Sequence, residues 1–162
     1  MTDIPEDWRL QPTSRMCFVC GRQNPVGLHL EFYEDPKTRQ IIVPLIIPDE
    51  YQGYPGIAHG GILATILDET SGRAIMMASD DDPFWVTAKI EIRYRHPTPT
   101  ETLLRAVGWV VEQRRRSARV AGEIRLEDGT VTADAEAVVV RPRDETLREW
   151  EQEKEFWRVA GE

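Results

Sequence analysis

Residues 59–78 read HGGILATILDETSGRAIMMA, and this run decides the fold. Ile62, Leu63, Ala64, Ile66 and Leu67 cover nearly every direction around a helix, so the pattern predicts a helix that is buried rather than amphipathic. Something must enclose it. A strongly curved antiparallel sheet wrapped around the helix satisfies both elements at once. Residues 79–83, with three successive aspartates, end the helix in a solvated turn.

The flanking sequence supplies that sheet. Leu28, Leu30 and Phe32 alternate with His29, Glu31 and Tyr33, the pattern of a half-buried strand. Residues 40–47 form a second strand, which Pro44 confines to an edge or a bulge. Beyond the helix, Val86, Ala88, Ile90, Ile92 and Tyr94 alternate with Thr87, Lys89, Glu91, Arg93 and Arg95. Residues 102–112, 120–126 and 130–140 continue as strands, the last two joined by an Asp128-Gly129 hairpin signal. Leu147, Trp150 and Trp157 near helical spacing predict a C-terminal helix over 144–159, docked by its aromatics. The expected organisation is an irregular lead-in (1–27), one α+β domain (28–142) and a packed C-terminal helix (143–162). An exposed sheet edge would favour pairing with a second copy.

Composition sets the outer bounds. The chain has 162 residues, enough for one domain with a sizeable core. A hydrophobic content of 41% and a charged content of 30% are those of an ordinary globular protein. A net charge of -8 argues against a general nucleic-acid partner. No apolar run reaches membrane-spanning length, so no membrane partner is expected. The start, MTDIPEDWRL, is acidic where a secretory leader would be basic and then apolar, so a cytoplasmic location is expected.

Cys17 and Cys20 stand in the run CFVCG. A zinc site needs four ligands, no second CxxC completes it, and His29 is the one nearby helper. Asn24, Pro25 and Gly27 predict turns, where a redox pair usually opens a helix. The plain reading is a tight turn with two small buried side chains, and no metal is assigned.

The helix start carries the chemistry. Gly60 and Gly61 sit where a helix exposes unpaired N–H groups with partial positive charge, and they let a substrate carbonyl come close. The alternative is that they only permit tight packing of helix on sheet. Asp68 is a carboxylate in an apolar helix, so it is paired, exposed at a cavity, or functional. Nine residues place it roughly 180° around and about 13 Å along from His59. One helix can hardly aim both groups at one small reacting centre, whereas a site shared between two subunits can. Glu69 points about 100° from Asp68 and is expected on the helix surface or at an interface.

The stretch GYPGIAHGG followed by ILATILDE resembles the hotdog-fold acyl-CoA thioesterases, the group of the phenylacetate-pathway thioesterase and its eukaryotic relatives. His-Gly-Gly opening the central helix, Asp68 nine positions later, the strand VTAKIEIRYRHPTP and the lead-in CFVCGRQNPVGL all agree, over roughly residues 17–140. The resemblance implies a hotdog fold: a curved antiparallel sheet of five to six strands around one long helix, with a short C-terminal helix. It implies hydrolysis of an acyl-CoA to a carboxylic acid and CoA, without metal or organic cofactor. Asp68 would be general base or nucleophile, the Gly60-Gly61 backbone would polarise the carbonyl, and Thr87 would hold the attacking water. His59 would orient substrate or simply cap the loop. Family members place Asn or Gln a few residues before the His; Gly53 has the most comparable spacing here and Gln52 is the nearest amide. The implied assembly is a homodimer or a dimer-of-dimers homotetramer with sites drawn from both subunits.

The charge is segregated along the chain. Residues 85–125 carry nine basic and four acidic side chains, while residues 144–162 carry three basic and seven acidic. Arg93, Arg95 and His96 at one strand end, and Arg114, Arg115 and Arg116 in a turn, are candidates for gripping CoA phosphates. The other reading is solvated strand ends that resist aggregation. Trp85, Trp109 and Met76 are candidate walls of an acyl pocket. Alternative functions are a non-catalytic acyl-CoA-binding hotdog module and an enoyl-CoA hydratase or dehydratase. The latter usually pairs Asp with a His one helical turn away, and no His stands there.

Overall fold

A computed structural model describes residues 4–79, 83–159 and 161. In chain order the elements are β1 (Arg9–Leu10), β2 (Tyr33–Asp35), β3 (Gln40–Ile46), β4 (Gln52–Tyr54), β5 (Ile57–Ala58), α1 (Gly60–Arg73), β6 (Val86–Tyr94), β7 (Leu103–Gln113), β8 (Ser117–Leu126), β9 (Val131–Val140) and α2 (Asp144–Trp150). Short 3-10 segments cover Asp49–Tyr51, Ala74–Met77 and Glu151–Phe156. The main sheet is antiparallel in the order β1-β2-β3-β7-β8-β9-β6, and β4 and β5 form a separate ribbon. This is the expected sheet around a central helix, with seven strands instead of five or six because the lead-in adds β1 beside the three-residue β2.

Helix α1 lies across β7, β8 and β9, with β3 and β6 to either side. Leu63, Ile66, Leu67 and Thr70 are buried at helical spacing against the sheet, joined by Phe32, Ile41, Val43, Leu104, Ala106 and Ile124. Each such buried aliphatic side chain contributes about 1.5–3 kcal/mol. The approach is closest at Gly108, which pairs with Gly122. A Cβ at Gly108 would lie 2.2 Å from the Thr70 carbonyl oxygen.

The enclosure of α1 is one-sided, contrary to the expectation of a helix buried all round. Gly61 is exposed, and Ala64, Thr65, Asp68 and Gly72 are only half-buried, because the sheet curls over one face. The sheet also ends on this side, at β6, whose pairing edge opposite β9 has no partner among the described strands.

Two local expectations hold, at Pro44 and at the Asp128-Gly129 turn, and two are corrected. Beyond Ile42, β3 is paired only with β7, so Pro44 does sit where one side of its strand is an edge. Asp128-Gly129 joins β8 to β9, with Gly129 at a φ of 87° and Asp128 Oδ1 accepting the Thr130 N–H at 2.8 Å. The strand expected from Leu28 enters the ladder only at Tyr33. Before that, the Leu28 and Leu30 amides bond to the Phe18 and Val19 carbonyls at 2.8 and 2.9 Å, so the lead-in replaces a strand as partner. The C-terminal helix stops at Trp150 and tightens into a 3-10 segment. There Arg15 bonds Glu153 at 2.9 Å and lies 4.1 Å from the Phe156 ring centroid, so tertiary contacts set its course. Trp150 and Trp157 dock edge-on against Phe84. No helix among the described residues is long and apolar enough to cross a membrane.

Candidate active site

Asp68 projects from the open face of α1 and accepts a hydrogen bond from Thr87 Oγ1 on β6, 2.7 Å from its Oδ1. Strict alternation along β6 puts Thr87 on the face away from the helix. A bulge reverses the phase: Thr87 pairs with Val139 and Lys89 with Val138, which leaves Ala88 as an extra residue. Such a bulge re-aims the preceding side chain, and here it turns Thr87 to Asp68.

The pair lines a cavity of about 440 Å³. Its apolar walls are Met76, Phe84, Trp85, Val86, Trp150 and Trp157. Met76 and Trp85 thus stand where an acyl pocket was expected to have walls. Trp109, on β7 opposite Ala121, does not line it. The two tail tryptophans were not among the expected walls; their docking on Phe84 brings them in.

At the other end of α1, His59 is the N-cap. Its Nδ1 accepts the Gly61 N–H at 2.9 Å, and its carbonyl accepts from Ile62 and Leu63. The Gly61 amide is therefore engaged by the imidazole. Tyr94, near the end of β6, donates its hydroxyl to the Gly60 carbonyl at 2.8 Å. Gln52 is exposed and accepts the Gly56 N–H at 3.1 Å, tying down the β4–β5 turn. Gly53 packs against His59, where a Cβ would lie 3.3 Å from His59 Cα.

The candidate anion-binding residues split between the two ends of β6. Arg93 (on the strand), Arg95 and His96 cluster near the Tyr94 end, and Arg95 is ion-paired with Asp134. Arg114, Arg115 and Arg116 form the β7–β8 turn, beside the strand ends where Ser117 pairs with Val140 and Val140 with Val86. Arg114 pairs with Glu112 at 3.0 Å, and Arg116 donates to the Pro142 carbonyl at 2.9 Å. Arg93 and Arg115 make no ion pair among the described residues. Within one chain, Thr87 and Arg93 are about 20 Å apart along the strand. The geometry therefore unites Asp68 with Thr87 and separates both from His59, Gly60 and Gly61.

Glu69 departs from the expected surface position. Its side chain is 23% exposed and turns toward the lead-in, where Oε1 accepts from Arg73 Nε at 2.8 Å. Burial raises its carboxyl above the usual range, against the pull of the Arg73 charge. Arg73 is 3% exposed, lies over the Phe32 ring and is held by the Pro12 carbonyl at 2.9 Å. Beside it the Cys17 thiol donates to Glu69 Oε2 at 3.9 Å, and the nearness of the two sulfurs raises Cys17 and lowers Cys20. Periodicity places Glu69 correctly on the helix, one turn before its partner Arg73; the contact with Cys17 comes from far away in the chain.

Residues 55–133 match the family model of the thioesterase superfamily. That stretch is similar to the superfamily, and the chain as a whole has the hotdog fold. A solved thioesterase superfamily protein superposes on this hotdog domain with a TM-score of 0.71 and 27% identity, covering 85% of this chain and 68% of that one. The PaaI protein from the phenylacetic acid degradation operon of E. coli gives a TM-score of 0.58 at 17% identity, over 65% of this chain and 74% of its own. A hypothetical thioesterase protein from Streptococcus pneumoniae TIGR4, solved with coenzyme A, gives 0.56 at 24%, over 64% and 81%. The domain thus has the hotdog fold expected of it, a fold it shares with the PaaI protein.

Proposed function

We propose that this protein hydrolyses an acyl-CoA to a carboxylic acid and free CoA. The observation that carries the reading is the Asp68–Thr87 pair at the edge of an aromatic-walled cavity. Thr87 spends its proton on Asp68 Oδ1, which fixes the carboxylate and leaves the hydroxyl oxygen free to accept from a water. Asp68 then either takes that water's proton as it attacks the thioester carbonyl, or attacks the carbonyl itself to form an anhydride that water opens. In both routes the carbonyl oxygen becomes an oxyanion, CoA leaves as thiolate, and one water is consumed. The match to the superfamily model and the coenzyme A of the similar pneumococcal structure support the substrate class.

The oxyanion donors come from a second copy in this proposal. Antiparallel pairing of β6 with its own copy across a two-fold axis exchanges the strand ends, bringing Thr87 of one chain toward Arg93 and Tyr94 of the other. Tyr94 holds Gly60, so the same operation brings the other helix N-terminus to Asp68. It also covers the open face of α1. For Gly61 to donate to substrate, the His59 ring must release its amide. Once released, the amides donate to the developing charge. Arg93, Arg95 and His96 of that copy, or the Arg114–Arg116 turn, hold the CoA phosphates.

The test is thiol release over short, medium, long and aromatic acyl-CoAs. Asp68→Asn is expected to lower kcat by about 10²–10⁴-fold with the fold intact. Wild-type turnover in that variant would refute the mechanism, and tight acyl-CoA binding without thiol release by the native protein would make it a binding module.

A further inference from the structure

The cysteine turn and the central helix meet in a cluster that the proposed reaction does not use. One ligand atom each from Cys17, Cys20 and Glu69 lies within 4.8 Å of the others, and Cys17 Sγ is 3.9 Å from Glu69 Oε2. Both cysteines are free thiols. On sequence spacing the pair lacks a third ligand unless His29 supplies it. His29 is exposed and lies outside the cluster, whereas Glu69 comes into it from α1.

Two features single this cluster out from a mere turn. The run Cys17-Phe18-Val19-Cys20-Gly21 folds back so that the Val19 N–H donates to Cys17 Sγ at 3.3 Å and the Gly21 N–H to the Cys17 carbonyl at 2.8 Å. A Cβ at Gly21 would lie 2.4 Å from that carbonyl oxygen, so the turn requires glycine. An amide aimed at sulfur stabilises negative charge there, as a thiolate ligand needs. Glu69 is divided in the way of a ligating carboxylate: Arg73 Nε fixes Oε1, and Oε2 faces Cys17. Arg73 Nη2 is buried without a hydrogen-bond partner among the described residues, a donor for an exogenous fourth ligand.

The charges agree. Two thiolates, one carboxylate and one guanidinium sum to -2, which a divalent cation brings to zero in a place where net charge is costly. Thiolates favour zinc over harder cations, and tetrahedral zinc accepts mixed sulfur and oxygen ligands.

We propose that Cys17, Cys20 and Glu69 bind one zinc ion, with water or a small anion from the adjoining cavity in the fourth position. Both thiols lose their protons on binding. The ion pins the lead-in to α1 one residue from Asp68. This inference does not depend on the hydrolase reading, because its readout is spectroscopic.

The experiment titrates the full-length, chelator-treated protein with Co²⁺ and then Zn²⁺. One equivalent of cobalt is expected to give a thiolate-to-cobalt charge-transfer band and intense tetrahedral d–d bands, which one equivalent of zinc abolishes. Cys17→Ser and Cys20→Ser should each remove the charge-transfer intensity of that site, and Glu69→Gln should shift the d–d bands and weaken zinc about tenfold or more. Circular dichroism checks that each variant is folded. A folded native protein that shows no cobalt band, with both thiols titrating as free or joined as a disulfide, overturns the proposal. So does a Cys20→Ser variant that keeps the native band.

Discussion

Thr87 and Asp68 show how one residue's position can depend on a neighbour that does no chemistry. The hydroxyl reaches the carboxylate because Ala88 is an extra residue in β6. A hydrogen bond to a charged group is worth about 1.5–3 kcal/mol, so Thr87→Val is expected to slow turnover about ten- to a hundredfold. Thr87→Ser should recover most of the loss. A purely structural threonine predicts the opposite order, since valine keeps the shape and strand preference that serine lacks. Steady-state thiol release for the two variants, with melting curves for both, separates these outcomes. At His59 the imidazole is bound to the Gly61 amide, so His59→Ala removes an N-cap and should cost about 0.5–2 kcal/mol of stability, read by thermal or urea unfolding.

Among the elements, α1 is held by a notch in the sheet. Gly108 and Gly122 face each other on β7 and β8 beneath Thr70 and Ser71. Gly108→Ala drives a methyl group into the helix backbone, and overpacking of this kind costs about 1–3 kcal/mol. A drop in the urea midpoint with unchanged slope is the expected result; an unchanged midpoint would mean that the helix can lift from the sheet freely. The tail acts on the site in a different way. Trp150 and Trp157 wall the cavity through their contacts with Phe84. Replacing both with alanine should change KM for apolar acyl groups more than kcat for the shortest ones, because the chemistry proposed at Asp68 is left in place.

For the whole molecule, the open edge of β6 and the half-buried face of α1 belong together, and the proposed second copy would cover both. The proposed shared site has a consequence that no single-chain site has. Asp68→Asn and Gly60→Pro should each be inactive alone, the second because it removes one amide donor at a helix position that tolerates proline. Refolded together in equal amounts, half of the dimers are mixed and each has one intact site of two, so activity should return to about a quarter of native. No recovery on mixing, with both variants shown to exchange subunits, would place the donors and Asp68 in one chain.

Much of this protein is determined locally by its sequence. The run from His59 to Ala78 commits the chain to a helix that needs a wrapped sheet, alternation and the Asp128-Gly129 turn set the strands, and the His-Gly-Gly start with Asp68 marks the candidate site, because these signals act over a few residues. Tertiary structure decided what depends on distant partners. The phase of Thr87 comes from pairing β6 with β9, which no spacing within β6 reveals. Glu69 leaves the expected helix surface because the lead-in cysteines meet it there, beside its partner Arg73 on the same helix. The helix is enclosed on one side only, because the sheet that the sequence implies is long enough to cover a single face. Periodicity reports that a side chain will be buried, but only packing decides against what.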